Sequence, residues 1–314
     1  MKTFSLVAFA AGALAVPALA ADYTILAPAN PGGGWDQTAR TMQEVMVAEG
    51  LSEDVQVQNV PGAGGTVGLA QFASQASGDP SQLIVGGYVM VGAILTNQSP
   101  VTLADVTPIA RLTGEYEAIV VPADSEIQDI GQLVEMLKAD PGAVSWAGGS
   151  AGGVDHIAVG LLAKAAGVDP TLINYVAFSG GGEALAAILG GQVTAGISSL
   201  GEFREQAEAG ALRILAVSSP EPIEGVDAPT LTEAGFDVEV ENWRMVAAPG
   251  GITEEQKAAI EADIEALVQS EGWQAALADK GWIDTYQSGE EFAATLARET
   301  ETTTTVLRDI GLVQ

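Results

Sequence analysis

The chain has 314 residues and a formal net charge of −29, from 12 Lys and Arg against 41 Asp and Glu. Basic residues bind nucleic acid and anionic lipid, so this balance excludes both as partners. There is no cysteine and a single histidine, His156. Disulfides, thiolate metal sites and cysteine nucleophiles are therefore excluded, and we expect neither a metal nor a cofactor.

The first twenty residues have the pattern of a secretory signal peptide. Lys2 precedes an apolar stretch at residues 4–16, and Ala18 and Ala20 form an A-x-A cleavage site. The apolar stretch is shorter than the about 20 residues that span a membrane. We therefore predict that residues 1–20 are removed and that the mature chain is exported to a bacterial periplasm without a membrane anchor.

Short apolar runs then alternate with amphipathic stretches, which predicts an α/β fold with mostly parallel strands. The final third of the chain is predicted to be mostly helix. Strands are predicted at residues 23–27, 55–60, 83–86, 118–121, 144–146, 173–178, 195–198, 213–217 and 244–247. Helices are predicted at residues 36–49, 154–166, 183–189, 254–269, 272–278 and 290–307.

Four predicted strands end in a glycine-rich loop that leads at once into a helix. The loops are residues 31–36, 61–66, 147–153 and 178–183. In a parallel sheet such loops gather at the carboxyl ends of the strands, where open sheets bind ligands. Glycine allows close backbone approach, and the start of a helix offers unpaired N–H groups to an anion. The pattern predicts two lobes that each contribute two loops to one cleft.

Two charged features accompany these loops. Asp36 stands where an N-cap carboxylate would satisfy the first N–H groups of the following helix. Arg40, Arg111 and Arg244 could serve as counter-ions for an anion, although a site built mostly from backbone does not require them.

Residues 148–152 match the G-x-S-x-G pattern of a serine hydrolase, with Ser150 as the nucleophile. Such an enzyme needs a histidine base, and only His156 is available. His156 lies six residues on, within the helix that the serine introduces, where it is badly placed to reach the hydroxyl. A secreted serine hydrolase is therefore kept only as an alternative.

Residues 28–40 and 59–68 resemble the paired signature of the substrate-binding proteins of tripartite tricarboxylate transporters. The two segments contain Pro-Gly-Gly-Gly-Trp-Asp and Pro-Gly-Ala-Gly-Gly-Thr. The resemblance continues in order through residues 148–156, 180–193, 210–218 and 229–235. Residues 97–102 and 242–244 are similar to the tricarboxylate branch in particular.

The resemblance implies a type II periplasmic binding protein, with two α/β lobes, two crossover strands and a ligand cleft between the lobes. The crossovers would fall near residues 119–122 and 241–243, which assigns residues 22–121 and 243–314 to lobe 1 and residues 122–242 to lobe 2. It also implies capture of a small organic carboxylate, either a tricarboxylate such as citrate or a C4–C6 dicarboxylate. We expect a monomer that delivers this anion to a permease of one large and one small membrane subunit.

The resemblance also implies which residues bind the ligand. One carboxylate would lie between the first two loops, and the remaining carboxylates would meet the second lobe. The expected binding residues are Gly33, Gly34, Trp35, Gly64, Gly65 and Thr66 from lobe 1, and Ser150, Gly152, Gly153, His156, Phe178, Ser179 and Gly180 from lobe 2. No reaction is expected. A periplasmic sensor that docks to a receptor kinase would bind the same ligand and stays open as an alternative.

Overall fold

The computed structural model describes residues 22–314, so the predicted signal peptide lies outside the described residues. Strands and helices alternate over most of this range. The strands are β1 (Tyr23–Ala27), β2 (Val55–Asn59), β3 (Gln82–Gly87), β4 (Val106–Pro122), β5 (Ser145–Gly148), β6 (Asn174–Ala177), β7 (Ala195–Ser199), β8 (Leu212–Val217), β9 (Glu241–Pro249) and β10 (Ile283–Ser288). The helices are α1 (Gly34–Ala48), α2 (Thr66–Gln75), α3 (Tyr88–Thr96), α4 (Ile130–Ala139), α5 (Val154–Ala165), α6 (Gly181–Leu189), α7 (Leu200–Glu208), α8 (Glu254–Gln269), α9 (Glu271–Lys280) and α10 (Gly289–Asp309).

The long strand β4 joins two groups of strands. Its residues up to Tyr116 pair with β9, and this first half-sheet continues through β3, β1 and β2 on one side and β10 on the other. From Glu117 onward β4 pairs with β7 and β8, and this second half-sheet continues through β5 to β6. The chain therefore passes from one half-sheet to the other within a single strand.

The prediction of mostly parallel strands is wrong. Within residues 22–314, the pairings of β1 with β2 and β3 and of β5 with β6 and β7 are parallel. The pairings that involve β4 or β9 are antiparallel. Both strands lie where the two half-sheets meet; β9 runs against β1 and β2, and β4 runs against β5 and β6.

The core of each half-sheet is apolar and covered by helices. Ile25 and Leu83 in the first half-sheet are fully buried, as are Trp146 on β5 and Met42 on α1. These side chains hold the strands in register because burial of apolar surface is the main favourable term in folding. Among the described residues, no helix is both long and apolar enough to cross a bilayer.

Candidate functional site: a cleft between four glycine loops

A cavity of about 390 Å³ opens between the two half-sheets, at the carboxyl ends of β1, β2, β5 and β6. A volume of this size suits a small organic ligand. Of the residues expected to bind ligand, those from the first half-sheet that line the cleft are Gly33, Gly34, Trp35, Gly64 and Gly65. Those from the second half-sheet are Ser150, Phe178, Ser179 and Gly180. Thr66, Gly152, Gly153 and His156 lie beside these loops but do not line the cleft.

Three of the four loops are held by an acidic side chain that folds back from the first turn of the next helix. Asp36 accepts the Gly32 N–H at 2.7 Å, Asp155 accepts the Gly149 N–H at 2.6 Å, and Glu183 accepts the Ser179 N–H at 3.1 Å. The N-cap of α1 is Gly33, so the prediction of an Asp36 N-cap is wrong. Asp36 lies in the first turn of the helix, and its carboxylate fixes the loop before it.

Asp36 also ties the first two loops together. Its Oδ1 accepts a hydrogen bond from the Asn59 amide at 2.8 Å, and its Oδ2 accepts one from Arg40 Nε at 2.9 Å. Burial alone would raise the pKa of Asp36, but the hydrogen bonds from Arg40, Gly32 and Asn59 outweigh it and lower the pKa. Asp36 is therefore a charged residue of the loop scaffold at neutral pH.

We expect Asp36→Ala to lower the free energy of unfolding by about 1–3 kcal/mol at neutral pH, since it strands several donors. The lowered pKa means that this contribution is present above the unfolded-state pKa of about 3.9 and is lost as the pH falls through the folded-state value. Urea unfolding at several pH values measures it. Glu44→Ala, an exposed acid on the same helix, is the control and should change stability by less than about 0.5 kcal/mol. Equal effects of the two variants at neutral pH would contradict the assigned role.

Several loop donors are already occupied. The Gly33 N–H donates to the Asn30 carbonyl oxygen and the Gly65 N–H to that of Gly62, each at 3.0 Å. The Thr66 hydroxyl donates to the Ala63 carbonyl oxygen at 2.9 Å. By contrast, the first three N–H groups of α1, beginning at Gly34, have no acceptor within the helix. An anion in the cleft would find its backbone donors there.

The second loop needs glycine for two reasons. Gly64 and Gly65 have φ values of +62° and +88°, in the left-handed region that disfavours side chains. A Cβ on Gly64 would lie 2.4 Å from Ala93 Cβ, and one on Gly65 would lie 2.7 Å from the Trp35 ring. Trp35 therefore packs against the second loop while it lines the cleft.

The floor of the cleft carries Arg244, which the sequence named only as one of three possible counter-ions. Arg244 is 3% exposed and forms an ion pair with Glu115. Its guanidinium also lies over the Trp282 ring at 5.1 Å. Its Nη1 has no hydrogen-bond partner among the described residues. A buried guanidinium that lines the cleft beside the start of α1 can donate charge-assisted hydrogen bonds to a carboxylate.

The other two arginines are engaged elsewhere. Arg40 is half exposed and pairs with Asp36, whereas Arg111 pairs with Glu241 and donates to Thr285. Neither lines the cleft. Residues 242–244 resemble the tricarboxylate branch of the family and include Arg244. That this arginine lies beside the glycine loops follows only from the folded chain.

A family model described as "Tripartite tricarboxylate transporter family receptor" matches residues 38–312. The chain belongs to this family. It is 27% identical to protein BugT of Bordetella pertussis over 292 residues, which cover 91% of this chain and 88% of that protein.

Solved structures share the fold. The chain is similar to MatC of Rhodopseudomonas palustris with bound malate, with a TM-score of 0.80, 24% identity and coverage of 91% of this chain and 98% of that one. It is also similar to an R. palustris protein with adipate, with a TM-score of 0.82, 21% identity and coverage of 92% and 97%. The family resemblance and the periplasmic binding protein fold that it implies are confirmed.

In this member of the tricarboxylate receptor family, four carboxyl groups lie at or beneath the floor of the cleft. Glu115, Glu117 and Asp155 are buried, and Glu202 lines the cleft next to Arg244. Burial raises the pKa of each, and that of Asp155 to about 7. The sequence analysis missed this cluster because its members come from three separate elements, β4, α5 and α7.

Ser150 and His156 do not face each other as a nucleophile and base would. His156 Nδ1 accepts the Gly152 N–H at 3.2 Å, and its ring stacks on Tyr175 with the ring centroids 4.0 Å apart. Burial lowers the His156 pKa to about 4, so the ring is neutral at physiological pH. Within the described part of the chain, no hydrogen bond joins His156 to Ser150. The family is one of substrate-binding proteins, which favours the binding role over the hydrolase alternative.

Proposed function

We propose that this protein is the periplasmic receptor of a tripartite tricarboxylate transporter, which captures a small organic carboxylate in the cleft and delivers it to the membrane permease. The permease would consist of one large and one small subunit. Export through the signal peptide at residues 1–20 is part of the proposal. The observation that carries it is Arg244, a buried arginine that lines the cleft and whose Nη1 has no hydrogen-bond partner among the described residues.

The first carboxylate of the ligand binds on the cleft side of the contact between Arg244 and the start of α1. There the N–H groups that begin at Gly34 and the guanidinium converge, since a Cβ on Gly34 would lie 2.6 Å from Arg244 Nη2. Charge-assisted hydrogen bonds are about twice as strong as neutral ones. This arrangement supports a carboxylate over a neutral sugar.

The second end of the ligand meets the other half-sheet. Ser150, Phe178, Ser179 and Gly180 line that wall of the cleft and supply hydroxyl, backbone and aromatic contacts. We assign residues 22–121 and 243–314 to lobe 1 and residues 122–242 to lobe 2, so that closure of the lobes excludes water from the ligand. Citrate-like tricarboxylates and C4–C6 dicarboxylates are the proposed ligands, and the malate and adipate of the two similar structures support this class.

A thermal-shift panel tests the proposal. The mature protein is unfolded and refolded to remove carried-over ligand, and is then mixed with organic acids, amino acids and sugars. A ligand at 100 times its dissociation constant stabilises the fold by about 2.7 kcal/mol, which raises the melting temperature by several degrees. We expect a shift with a di- or tricarboxylate and none with sugars. Shifts confined to sugars, or none at all, would refute the proposal.

Gly65→Asp places a negative charge in the second glycine loop, on the side of the cleft where the first carboxylate binds. The new carboxylate would repel the ligand, and its Cβ would press on the Trp35 ring. We expect carboxylate binding to be lost in the same thermal-shift assay. Gly182→Ala is the control, because a Cβ there meets no atom within 4 Å. Unchanged affinity in Gly65→Asp would contradict the placement of the first carboxylate.

A further inference from the structure

The charges at the floor of the cleft do not balance. One guanidinium, Arg244, lies near Glu115 and Glu202, and the carboxyls of Glu117 and Asp155 lie next to these acids. The Arg244 charge is already paired with Glu115. The remaining three carboxyls, which we call the buried acid cluster, have no cation of their own among the described residues.

Two members of the buried acid cluster touch. The Glu117 carboxyl lies within hydrogen-bonding reach of the Asp155 carboxyl. Its Oε1 accepts the Ser199 hydroxyl at 3.2 Å, whereas its Oε2 is buried and has no donor among the described residues. Glu117 is 1% exposed, so bulk solvent does not reach this carboxyl. A proton held between the two carboxyls satisfies the orphaned oxygen and removes the repulsion.

Two further cations, Arg204 and Lys280, line a second cavity with Glu115 and Glu202, but neither forms an ion pair with the cluster among the described residues. On β4 lies Glu115, on α7 the cluster's own Glu202, and on β9 the paired Arg244. On β6, Tyr175 donates its hydroxyl to the Gly149 carbonyl oxygen at 2.9 Å and keeps its proton. The neutral neighbours Ser198, Ser199 and Asn242 donate hydrogen bonds but carry no charge.

We propose that the cleft takes up a proton together with its carboxylate ligand, and that the cluster of Glu117, Asp155 and Glu202 holds this proton. The inference rests on the proposed function, because it needs an anionic ligand beside Arg244. Asp155 and Glu202 line the same cavity as the ligand, so a bound carboxylate adds a negative charge at close range in a desolvated site. Proton uptake restores the charge balance. Asp155 conveys the change in charge to the third glycine loop through the hydrogen bond that it accepts from the Gly149 N–H.

The pH range follows from the burial of the cluster. Burial raises the Asp155 pKa to about 7, so the free protein keeps the proton in mild acid and loses it in mild base. Ligand binding therefore draws the proton back only in mild base, where the free protein has lost it. The neutral His156 ring does not contribute, because its pKa is lowered to about 4.

Titration calorimetry with malate measures the uptake directly. Malate is fully ionised near neutral pH, and the binding enthalpy is recorded in buffers with different ionisation enthalpies. The slope of the observed binding enthalpy against the ionisation enthalpy of the buffer is the number of protons taken up. We expect about one proton per malate at about pH 8 and close to none at about pH 6, with affinity falling by up to about tenfold per pH unit between them.

Two substitutions and a control locate the proton. Glu117→Gln and Glu202→Gln each replace one ionisable carboxyl of the cluster with a neutral amide of nearly the same shape. We expect either variant to bind malate more tightly than wild type at about pH 8, by up to about tenfold, with proton uptake reduced. Glu261→Gln on α8 removes a half-buried carboxylate outside the cleft and should match wild type.

The possible outcomes separate the two proposals. Malate binding with the same enthalpy in every buffer at about pH 8 overturns the proton uptake and leaves the receptor function standing. Uptake that persists unchanged in both glutamine variants overturns the assignment to the cluster. Absence of binding for malate, citrate and adipate alike overturns the receptor function and the inference with it. Because Glu202 is less buried than Glu117, its variant keeps the test valid if Glu117→Gln fails to fold.

Discussion

Replacement of Arg244 by lysine is expected to weaken carboxylate binding by about 10- to 100-fold while the protein stays folded. A lysine ammonium can still pair with Glu115, but it lacks the planar fork of donors with which a guanidinium can bind Glu115 and a ligand carboxylate together. The loss corresponds to one hydrogen bond to a charged group, about 1.5–3 kcal/mol. Alanine is less useful here, because it would leave Glu115 buried without its cation.

Arg111→Lys is the matched control for this variant. Arg111 is also an arginine of the central strands and also pairs with a glutamate, Glu241, but it does not line the cleft. Titration calorimetry with citrate, malate and adipate on both variants measures the difference. Equal affinities for the two lysine variants would show that the carboxylate does not depend on Arg244.

Gly92→Ala is expected to weaken ligand binding by about tenfold through a contact between the two sides of the cleft. Gly92 lies on α3, and a Cβ there would stand 2.0 Å from the Gly152 carbonyl oxygen in the third glycine loop. A backbone oxygen cannot rotate away as a side chain would. The extra methyl therefore separates the loops that must meet around the ligand, at a cost of about 1–3 kcal/mol.

The test combines affinity with shape. Calorimetry gives the loss of affinity, and small-angle scattering gives the radius of gyration, which should increase in the variant. Gly182→Ala is the control, because its new methyl would meet no atom within 4 Å. A Gly92→Ala protein with wild-type affinity and radius of gyration would mean that the two loops need not approach each other.

The glycine loops and most strands could be predicted because their signals are local. The strand at residues 23–27 is confirmed at both ends, and the helix at residues 254–269 likewise. β10 was missed since its residues are mostly half-buried and lack a clear apolar alternation. The first half of β4 was missed because Pro108 and Gly114 argue against a strand, and the structure accommodates the proline at a register shift.

The candidate site was only partly predictable for a different reason. Glycine spacing indicates where backbone can approach a ligand, and nine of the thirteen expected residues line the cleft. The charged groups do not follow from spacing. Arg244, Glu202 and Asp155 are separated by dozens of residues and meet only after β9, α7 and α5 are placed against each other. Periodicity carries no information on such long-range convergence.

The side-by-side arrangement of β4 and β9 has a mechanical consequence. Gly114, Glu115 and Tyr116 lie opposite Trp243, Asn242 and Glu241, so hydrogen bonds join the two connecting segments. Such a ribbon bends easily, but its strands slide past each other only if those bonds break. We expect the half-sheets to swing along one arc, which distances between spin labels placed across the cleft would reveal by changing in proportion. The four loops then come together in the same alignment at every swing, whatever the ligand.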